Sequence, residues 1–472
     1  MNQEIKKQKR YRLFTVNLRV GLLLITVGAT SQRIKAQIET SRGSGIEAAM
    51  SPDAASDIEN LTLVAAVDLA LKQNLDIQIA NIETASKQQE RLIARSDLLP
   101  HAGFSASEAV TRYNAKAQLG VQPSVIPHDI GPYQSIHVGP TFSTPIFNLT
   151  LIRQYQASGH RLLAGRADEQ TVREETVLLT VSEYMAHLRA LASITATESR
   201  VELADRLAHQ AQDLLNDGVA SKIDVSRAQV RLREEKQGLI DNQRDAETTL
   251  HALKRILNIS DSAKIGFVDQ RNFFSTPSLD VSDPLATALE QRYELSSLSE
   301  SIKAAESTYK AAMAESIPNL TFDGRWNEQG QTLTTLVPGY DYQFDLKVPI
   351  FTGGRISAER KSTALAEQRR QKQLAEERNL ITEQVRDGQV ELQAALHQVE
   401  LSREEVQLAN EEVSLSQGRF QSGVTDNIEV TTAQDSLARA NDAEIGALFR
   451  YNIARAQLAR AIGTVEKTYT HP

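Results

Sequence analysis

The sequence predicts a mainly α-helical chain with a smaller transmembrane β part, built twice on one plan. Three observations predict it: a palette rich in Ala, Leu, Glu, Gln and Arg with only 5% aromatic residues, heptad patterns sustained along two long tracts, and short tracts that alternate apolar with polar side chains. With 472 residues, 41% of them apolar, the chain can bury a sizeable core, which excludes global disorder. Cysteine is absent, which removes disulfides, thiolate metal sites, cysteine nucleophiles and a lipid-bearing N-terminal cysteine. A formal net charge of −8 and a pI near 5.7 leave nucleic acid no electrostatic footprint.

Residues 1–36 read as a secretory signal. Lys6, Lys7, Lys9, Arg10 and Arg12 precede a mostly apolar stretch from Leu13 to Thr30, the order of a signal's basic and apolar regions. Asn17 and Arg19 interrupt that stretch, and a spanning helix needs about 20 apolar residues, so export with cleavage near Ala36 is expected rather than an anchor. Cleavage removes eight basic residues and one acidic one, lowering the net charge by seven, to −15. Residues 37–60, rich in Ser, Asp and Gly, follow as a linker.

The remainder is a duplication. The run from Gly218 to Gln229 matches the run from Gly423 to Gln434 at an offset of 205, and Pro145-Ile146-Phe147 matches Pro349-Ile350-Phe351 at 204. Pro100 and Pro318 lie 218 apart, as do Ala70-Leu71 and Ala288-Leu289. A period near 200 residues is the scale of a domain and too long for a solenoid. Repeat 1 spans 61–259 and repeat 2 spans 284–463, with 260–283 as a second linker and 464–472 as a tail. Each repeat has the same order of elements. A helix (about 62–98; 284–316) ends before a proline, which disfavours helix in the residue preceding it. A strand pair (101–145; 319–349) follows, then a long helix (149–216; 354–421), a Gly-centred turn, and a shorter helix (222–257; 427–462).

Sixty-eight helical residues make a rod of roughly 100 Å, which needs neighbours along its length. Val385, Leu392, Val399, Val406 and Val413 recur every seven residues, with Gly388, Ala395, Ser402 and Ala409 between them. Large knobs alternating with small partners make a coiled-coil seam along which helices approach closely. Repeat 1 carries the seam in Ile194 and Val201 with Ala190, Thr197 and Ala204, where His187 breaks the register. Leu401, Leu408 and Leu415 form a partial row on another face, so the helix reads as a stave flanked on both sides, or else as one arm of a solvent-exposed two-helix coil.

In the second strand pair, Leu320, Phe322, Gly324 and Trp326 alternate with Thr321, Asp323, Arg325 and Asn327. Tyr340, Tyr342, Phe344, Leu346 and Val348 alternate with Asp341, Gln343, Asp345 and Lys347. Segments of about 9–11 residues, apolar on one face and charged on the other, have the pattern of strands between lipid and a barrel lumen. A soluble sheet packed on a core gives the same alternation. In repeat 1 the pattern is weaker: Phe104 and Ala106 oppose Ser105 and Ser107, and Ile136, Val138 and Phe142 oppose His137, Gly139 and Thr141. Four strands cannot close a barrel, and open edges are not tolerated in hydrocarbon, so several copies must pool their strands. Two copies supply eight strands and three supply twelve.

Taken together, the duplicated strand-pair and hairpin order, the Pro-Ile-Phe exits, the paired Gly-Val turns and the terminal Tyr451-Asn452, Ala456, Leu458, Ala461 and Gly463 resemble the TolC-like outer-membrane efflux proteins, from about Leu61 to Gly463. The resemblance implies a homotrimer in the outer membrane of a Gram-negative cell, with a twelve-stranded barrel of four strands per chain continued by a helical coiled-coil barrel. It implies a passive exit duct of a tripartite efflux or type I secretion system, with a periplasmic adaptor (membrane fusion) protein and an inner-membrane pump of RND, ABC or MFS type as partners. The linkers and the tail would lie around the equator of the helical barrel.

Position by position, the resemblance places Gly218, Val219, Ser221, Gly423 and Val424 in tip turns where an adaptor docks. It places Asp224 and Glu429 among the carboxylates of the periplasmic aperture, Glu429 as the cation-favouring constriction. Both carboxylates also suit the first turn of a helix on grounds of the dipole alone, and the two glycines suit helix C-caps. Asp323, Arg325, Asp341, Asp345 and Lys347 would line the barrel lumen, and Phe322, Trp326, Tyr340, Tyr342 and Phe344 would face outer-membrane lipid. The chain departs from the pattern at Thr432, where a second acidic ring is expected, and at Thr425 and Phe420, where a latch arginine and tyrosine are expected. A less acidic, differently fastened aperture follows.

No HExxH, GxxxxGK[ST], GxSxG or dinucleotide-type glycine loop occurs, and the nine histidines are dispersed, so no enzyme, cofactor or metal is expected. Energy for transport must come from partners. The competing function is a soluble periplasmic coiled-coil scaffold or adaptor without a barrel.

Overall fold

A computed structural model describes residues 58–114, 129–218, 221–268, 282–422 and 427–470. The signal segment and nearly all of the first linker therefore lie outside the described residues. The fold is mainly α-helical, with β1 (Ile58–Leu61), α1 (Leu63–Gln73), α2 (Leu75–Ser96), β2 (His101–Asn114), β3 (Asp129–Phe147), α3 (Leu149–Asn216) and α4 (Lys222–Ile256) in its first part. The second part holds β4 (Ile265–Phe267), α5 (Pro284–Gln291), α6 (Tyr293–Ala314), β5 (Asn319–Gly330), β6 (Val337–Lys347), α7 (Arg355–Gln421), α8 (Asn427–Ile462) and α9 (Val465–Thr470). No helix among the described residues is long and apolar enough to cross a membrane.

The chain forms two units. One holds residues 92–156 and 307–362 and contains a four-stranded antiparallel sheet of order β2-β3-β5-β6. Its register sets Phe322 opposite Phe344, Gly324 opposite Tyr342, Trp326 opposite Tyr340 and Arg325 opposite Asp341. Because β side chains alternate with a period of two, this register gathers the aromatic residues of β5 and β6 on one face and the charged ones on the other.

The other unit is helical and spans residues 54–91, 157–306 and 363–472. Its largest core cluster includes Val67, Val177, Val181, Tyr184, Leu253 and Leu448. The small seam positions are where the helices meet: Thr197 and Ala204 in α3 and Ala395, Ser402 and Ala409 in α7 are buried. A Cβ on Gly388 would stand 3.2 Å from Leu458 Cδ1, so α8 approaches α7 there more closely than a larger residue allows. Leu401, Leu408 and Leu415, on the other row, are each more than 60% exposed, which leaves a second apolar stripe that the described residues do not cover.

Three features depart from the sequence reading. The expected single helices over 62–98 and 284–316 are each broken, at Asn74 and Arg292, which take extended backbone. Asn74 Oδ1 accepts from the Asp76 and Ile77 N–H groups and starts α2 afresh, while its amide donates to Ile256 O at 2.8 Å. The linkers contribute β1 and β4, which pair in parallel. The tail is a helix: Val465 and Tyr469 of α9 are buried in the main cluster.

Candidate functional site

In the sheet unit, the aromatic face is built by cross-strand neighbours. Phe322 lies 4.9 Å from Phe344 and 6.0 Å edge-on from Phe142, and, along β6 itself, Tyr340 lies 5.6 Å from Tyr342. Pairs at these spacings stabilise a sheet by about 0.5–1.5 kcal/mol beyond their area. Yet Trp326, Tyr340, Tyr342 and Phe344 are 59–73% exposed, so nothing among the described residues covers this face. On the opposite face Asp323, Arg325, Asp341, Asp345 and Lys347 form a charged patch, with Lys347 Nζ 3.7 Å from Asp345. The Pro-Ile-Phe exit after β6 is more open still: Ile350 is 95% and Phe351 90% exposed.

In the helical unit, the turn between α3 and α4 opens at Gly218, whose φ of +76° is the left-handed conformation that ends α3 without strain. Ser221 is the N-cap of α4, and its backbone N–H and hydroxyl both donate to Asp224 Oδ2. The hydroxyl bond, then the backbone bond, holds the Asp224 carboxyl below its ordinary pKa. Asp224 is thus committed to its own helix start. Glu429 is placed otherwise. It sits in the first turn of α8, and Arg419 Nε, from the last turn of α7, reaches it at 3.0 Å. Val219, Gly423, Val424 and Thr425 lie outside the described residues.

Sequence reasoning missed a buried cluster of charges. Glu174 of α3, Glu294 of α6 and Arg460 of α8 converge with Arg292, at 3–8% exposure for Glu174, Arg292 and Arg460. Arg460 contacts Glu294 and lies 3.5 Å from both Glu174 and Glu175, while Arg292 Nε donates to Glu294 at 2.9 Å and its Nη1 to Gln384. Burial pushes the Glu174 carboxyl up to about 7, against the pull of Arg460. Burial pushes Glu294 up too, but hydrogen bonds from Arg292 and Arg460 outweigh it and hold that carboxyl below its ordinary value. The only signal in the sequence was charge at positions where a helix faces its neighbours. Nearby in sequence, the buried His187 meets Ala246 O at 3.1 Å and lies, tilted, 4.4 Å from the ring of Phe267 of β4. The carbonyl accepts, so Nδ1 carries the proton, and burial keeps the ring's pKa low.

A second charged set ties three helices together. Arg200 of α3 reaches Glu235 of α4 at 3.1 Å and Asp442 of α8 at 3.0 Å, and Arg231 of α4 contacts Asp435 of α8. Arg200, Arg231 and Glu235 border an open groove whose apolar lining includes Leu188, Leu191, Leu203, Leu437 and Ile445.

The sequence profile of the outer membrane efflux protein family matches residues 66–258 and 285–464. The outer membrane protein TolC of Vibrio cholerae is 23% identical over 319 residues, covering 64% of this chain and 72% of the relative. Among solved structures, the outer-membrane channel OprN superposes with a TM-score of 0.76 at 18% identity, covering 88% of this chain and 94% of the other. The CmeC outer membrane channel of Campylobacter jejuni does so with a TM-score of 0.74 at 20% identity, covering 85% and 86%. At these identities the superpositions show a common fold.

Proposed function

The chain belongs to the outer membrane efflux protein family and is an outer-membrane channel for export, and from that premise we propose that it works as a homotrimer. Each copy contributes four strands to a twelve-stranded barrel, and the long helices of three copies form the conduit into the periplasm. One observation carries this reading: a sheet aromatic on one face and charged on the other, in which β2 and β6 have a partner on one side only among the described strands. Hydrocarbon has no water to satisfy an open edge, so β6 of one copy must pair with β2 of the next. The exposed stripe at Leu401, Leu408 and Leu415 supports the same assembly, since a neighbouring copy would cover it.

In this reading Phe322, Trp326, Tyr340, Tyr342 and Phe344 face lipid, and Asp323, Arg325, Asp341, Asp345 and Lys347 line the lumen. Glu429 forms the constriction of the periplasmic aperture, three copies to a ring, and Asp224 adds its charge from a carboxylate already held by its cap. The tip turns at Gly218, Val219, Ser221, Gly423 and Val424 dock a periplasmic adaptor, and an inner-membrane pump supplies the energy. The chain itself is a passive duct.

Light scattering in detergent tests the assembly: a particle of three chains that forms conductance steps in planar bilayers is the expected result. Release from membranes by carbonate as a monodisperse monomer would overturn it.

A further inference from the structure

Glu429 and Asp224 occupy corresponding places in the two repeats, 205 positions apart, but each meets a different arginine: Asp224 has Arg227 of its own helix at 3.9 Å, where repeat 2 carries Thr432, and Glu429 has Arg419 of the preceding helix. The position of Arg419 corresponds to Leu214 in repeat 1. Leu214 cannot pair with a carboxylate, and Asp224 instead bonds its own N-cap and has Arg227, three residues on in the same helix, 3.9 Å away. Arg419 ends α7, where the partial negative charge of the helix terminus favours a cation, and Glu429 begins α8, where the positive end favours an anion. The two side chains close across the turn at 3.0 Å, 56% and 38% exposed.

We infer that Arg419 is the residue that sets the ion preference of the aperture, by serving as the in-chain counter-ion of Glu429. The inference rests on the placement of Glu429 at the constriction. A bare carboxylate presents a monopole to a passing ion. A carboxylate paired with a guanidinium 3.0 Å away presents a dipole, whose field falls off faster with distance. At ordinary ionic strength only charges within about 10 Å of the ion's path act on it, and the two members of this pair are 3.0 Å apart, so an ion within reach of one is within reach of the other. Each copy therefore offers the pore a partly cancelled charge, and three copies offer a ring weaker than three carboxylates. With Thr432 in place of a second acidic residue, how far Arg419 offsets Glu429 weighs directly on the field there, to which Asp224 adds.

The test is the reversal potential of single channels in a potassium chloride gradient for the wild type and Glu429→Gln, Arg419→Gln, Arg419→Leu and Arg419→Lys. Leucine is what repeat 1 carries at this position, so the Leu variant keeps a residue that such a helix end already accommodates. The expected result is a fall in cation preference for Glu429→Gln, a rise of about twofold or more in the cation-to-anion permeability ratio for Arg419→Gln and Arg419→Leu, and little change for Arg419→Lys. If Glu429→Gln lowers the ratio while the neutral Arg419 variants leave it unchanged or lower it, the counter-ion role is wrong and the constriction stands. If the Arg419 variants raise it while Glu429→Gln changes nothing, Arg419 acts without Glu429 and the inference again fails. If no variant differs from the wild type, the constriction itself is elsewhere.

Discussion

Ser221 and Asp224 hold each other at the head of α4: the Ser221 backbone N–H donates to Asp224 Oδ2 at 3.0 Å, and its hydroxyl donates to the same oxygen. A carboxylate three residues into a helix that reaches back to the N-cap satisfies a backbone donor the helix cannot satisfy itself. Asp224→Ala is therefore expected to fray the first turn of α4, seen as faster amide exchange at Val225 and Ser226, while shifting channel selectivity less than Glu429→Gln does. The carboxyl's pKa is lowered in the fold, so its contribution is present above the ordinary carboxylate range and is lost as pH falls through the folded value. Protection from exchange in wild type, taken relative to the intrinsic rate at each pH, should fall in acid and approach that of the variant. Equal exchange in both at neutral pH would show that the cap holds nothing.

Glu174 gives the opposite sign. Its pKa is raised from 4.5 to about 7 by burial, so the fold favours the protonated form, and the stability it contributes is present below 4.5 and lost as pH rises through 7. Glu174→Gln keeps the shape without the charge. Between pH 5 and 8 the variant should lose less stability than the wild type, by on the order of 1–3 kcal/mol, read from thermal unfolding of the detergent-solubilised protein. The lowered pKa of Glu294 acts at more acidic pH and leaves this window clear. Parallel pH profiles for the two proteins would mean that Glu174 is solvated or already neutralised by Arg460.

His187 works in the same window from the other side. A base whose folded pKa is lowered contributes stability that is present above its ordinary value of 6.5 and lost as pH falls below it. His187→Gln offers an amide N–H for the Ala246 carbonyl and does not titrate. The variant should lose less stability than the wild type between pH 7 and 5, by the same thermal measurement; a steeper loss would show that the ring is charged in the folded protein.

How much of this could be read from the residues depended on contrast between faces. The tracts Leu320–Asn327 and Tyr340–Val348 alternate rings with charges, so their strand periodicity is visible without a structure. In β2 and β3 the alternation is among Ala, Ser, Gly and Thr, and Gly131, Pro132, Gly139 and Pro140 interrupt it, so little marks how far β3 extends. β1 and β4 are four and three residues long, too short for any period, and they exist because they pair with each other far along the chain. The helix breaks at Asn74 and Arg292 carry no proline or glycine to announce them, although they lie the same 218 positions apart as Pro100 and Pro318. For the sites, charge type and spacing singled out Glu429 and Asp224, but not what each touches. The pairs Arg419 with Glu429 and Arg460 with Glu174 join residues on different helices, and a single sequence does not record which helix faces lie together.

The sheet offers the sharpest contrast between neighbouring residues. Phe344 and Gln343 are adjacent in β6, and the pleat sends them to opposite faces, Phe344 with Phe322 and Gln343 with Asp323. Phe344 is 71% exposed among aromatic neighbours, and under the barrel reading it faces hydrocarbon. An arginine there would cost about 2–4 kcal/mol per copy near the bilayer midplane, whereas the same residue in a water-filled lumen costs little. Phe344→Arg should therefore strongly reduce the amount of assembled channel recovered from outer membranes, with Gln343→Arg assembling near the wild-type level and changing only conductance. Both variants carry the same charge on the same strand, so a shared loss of strand propensity cannot produce the difference. Equal assembly of the two would mean that the aromatic face packs against protein, and a strong defect in Gln343→Arg alone would reverse the assignment of lipid and lumen.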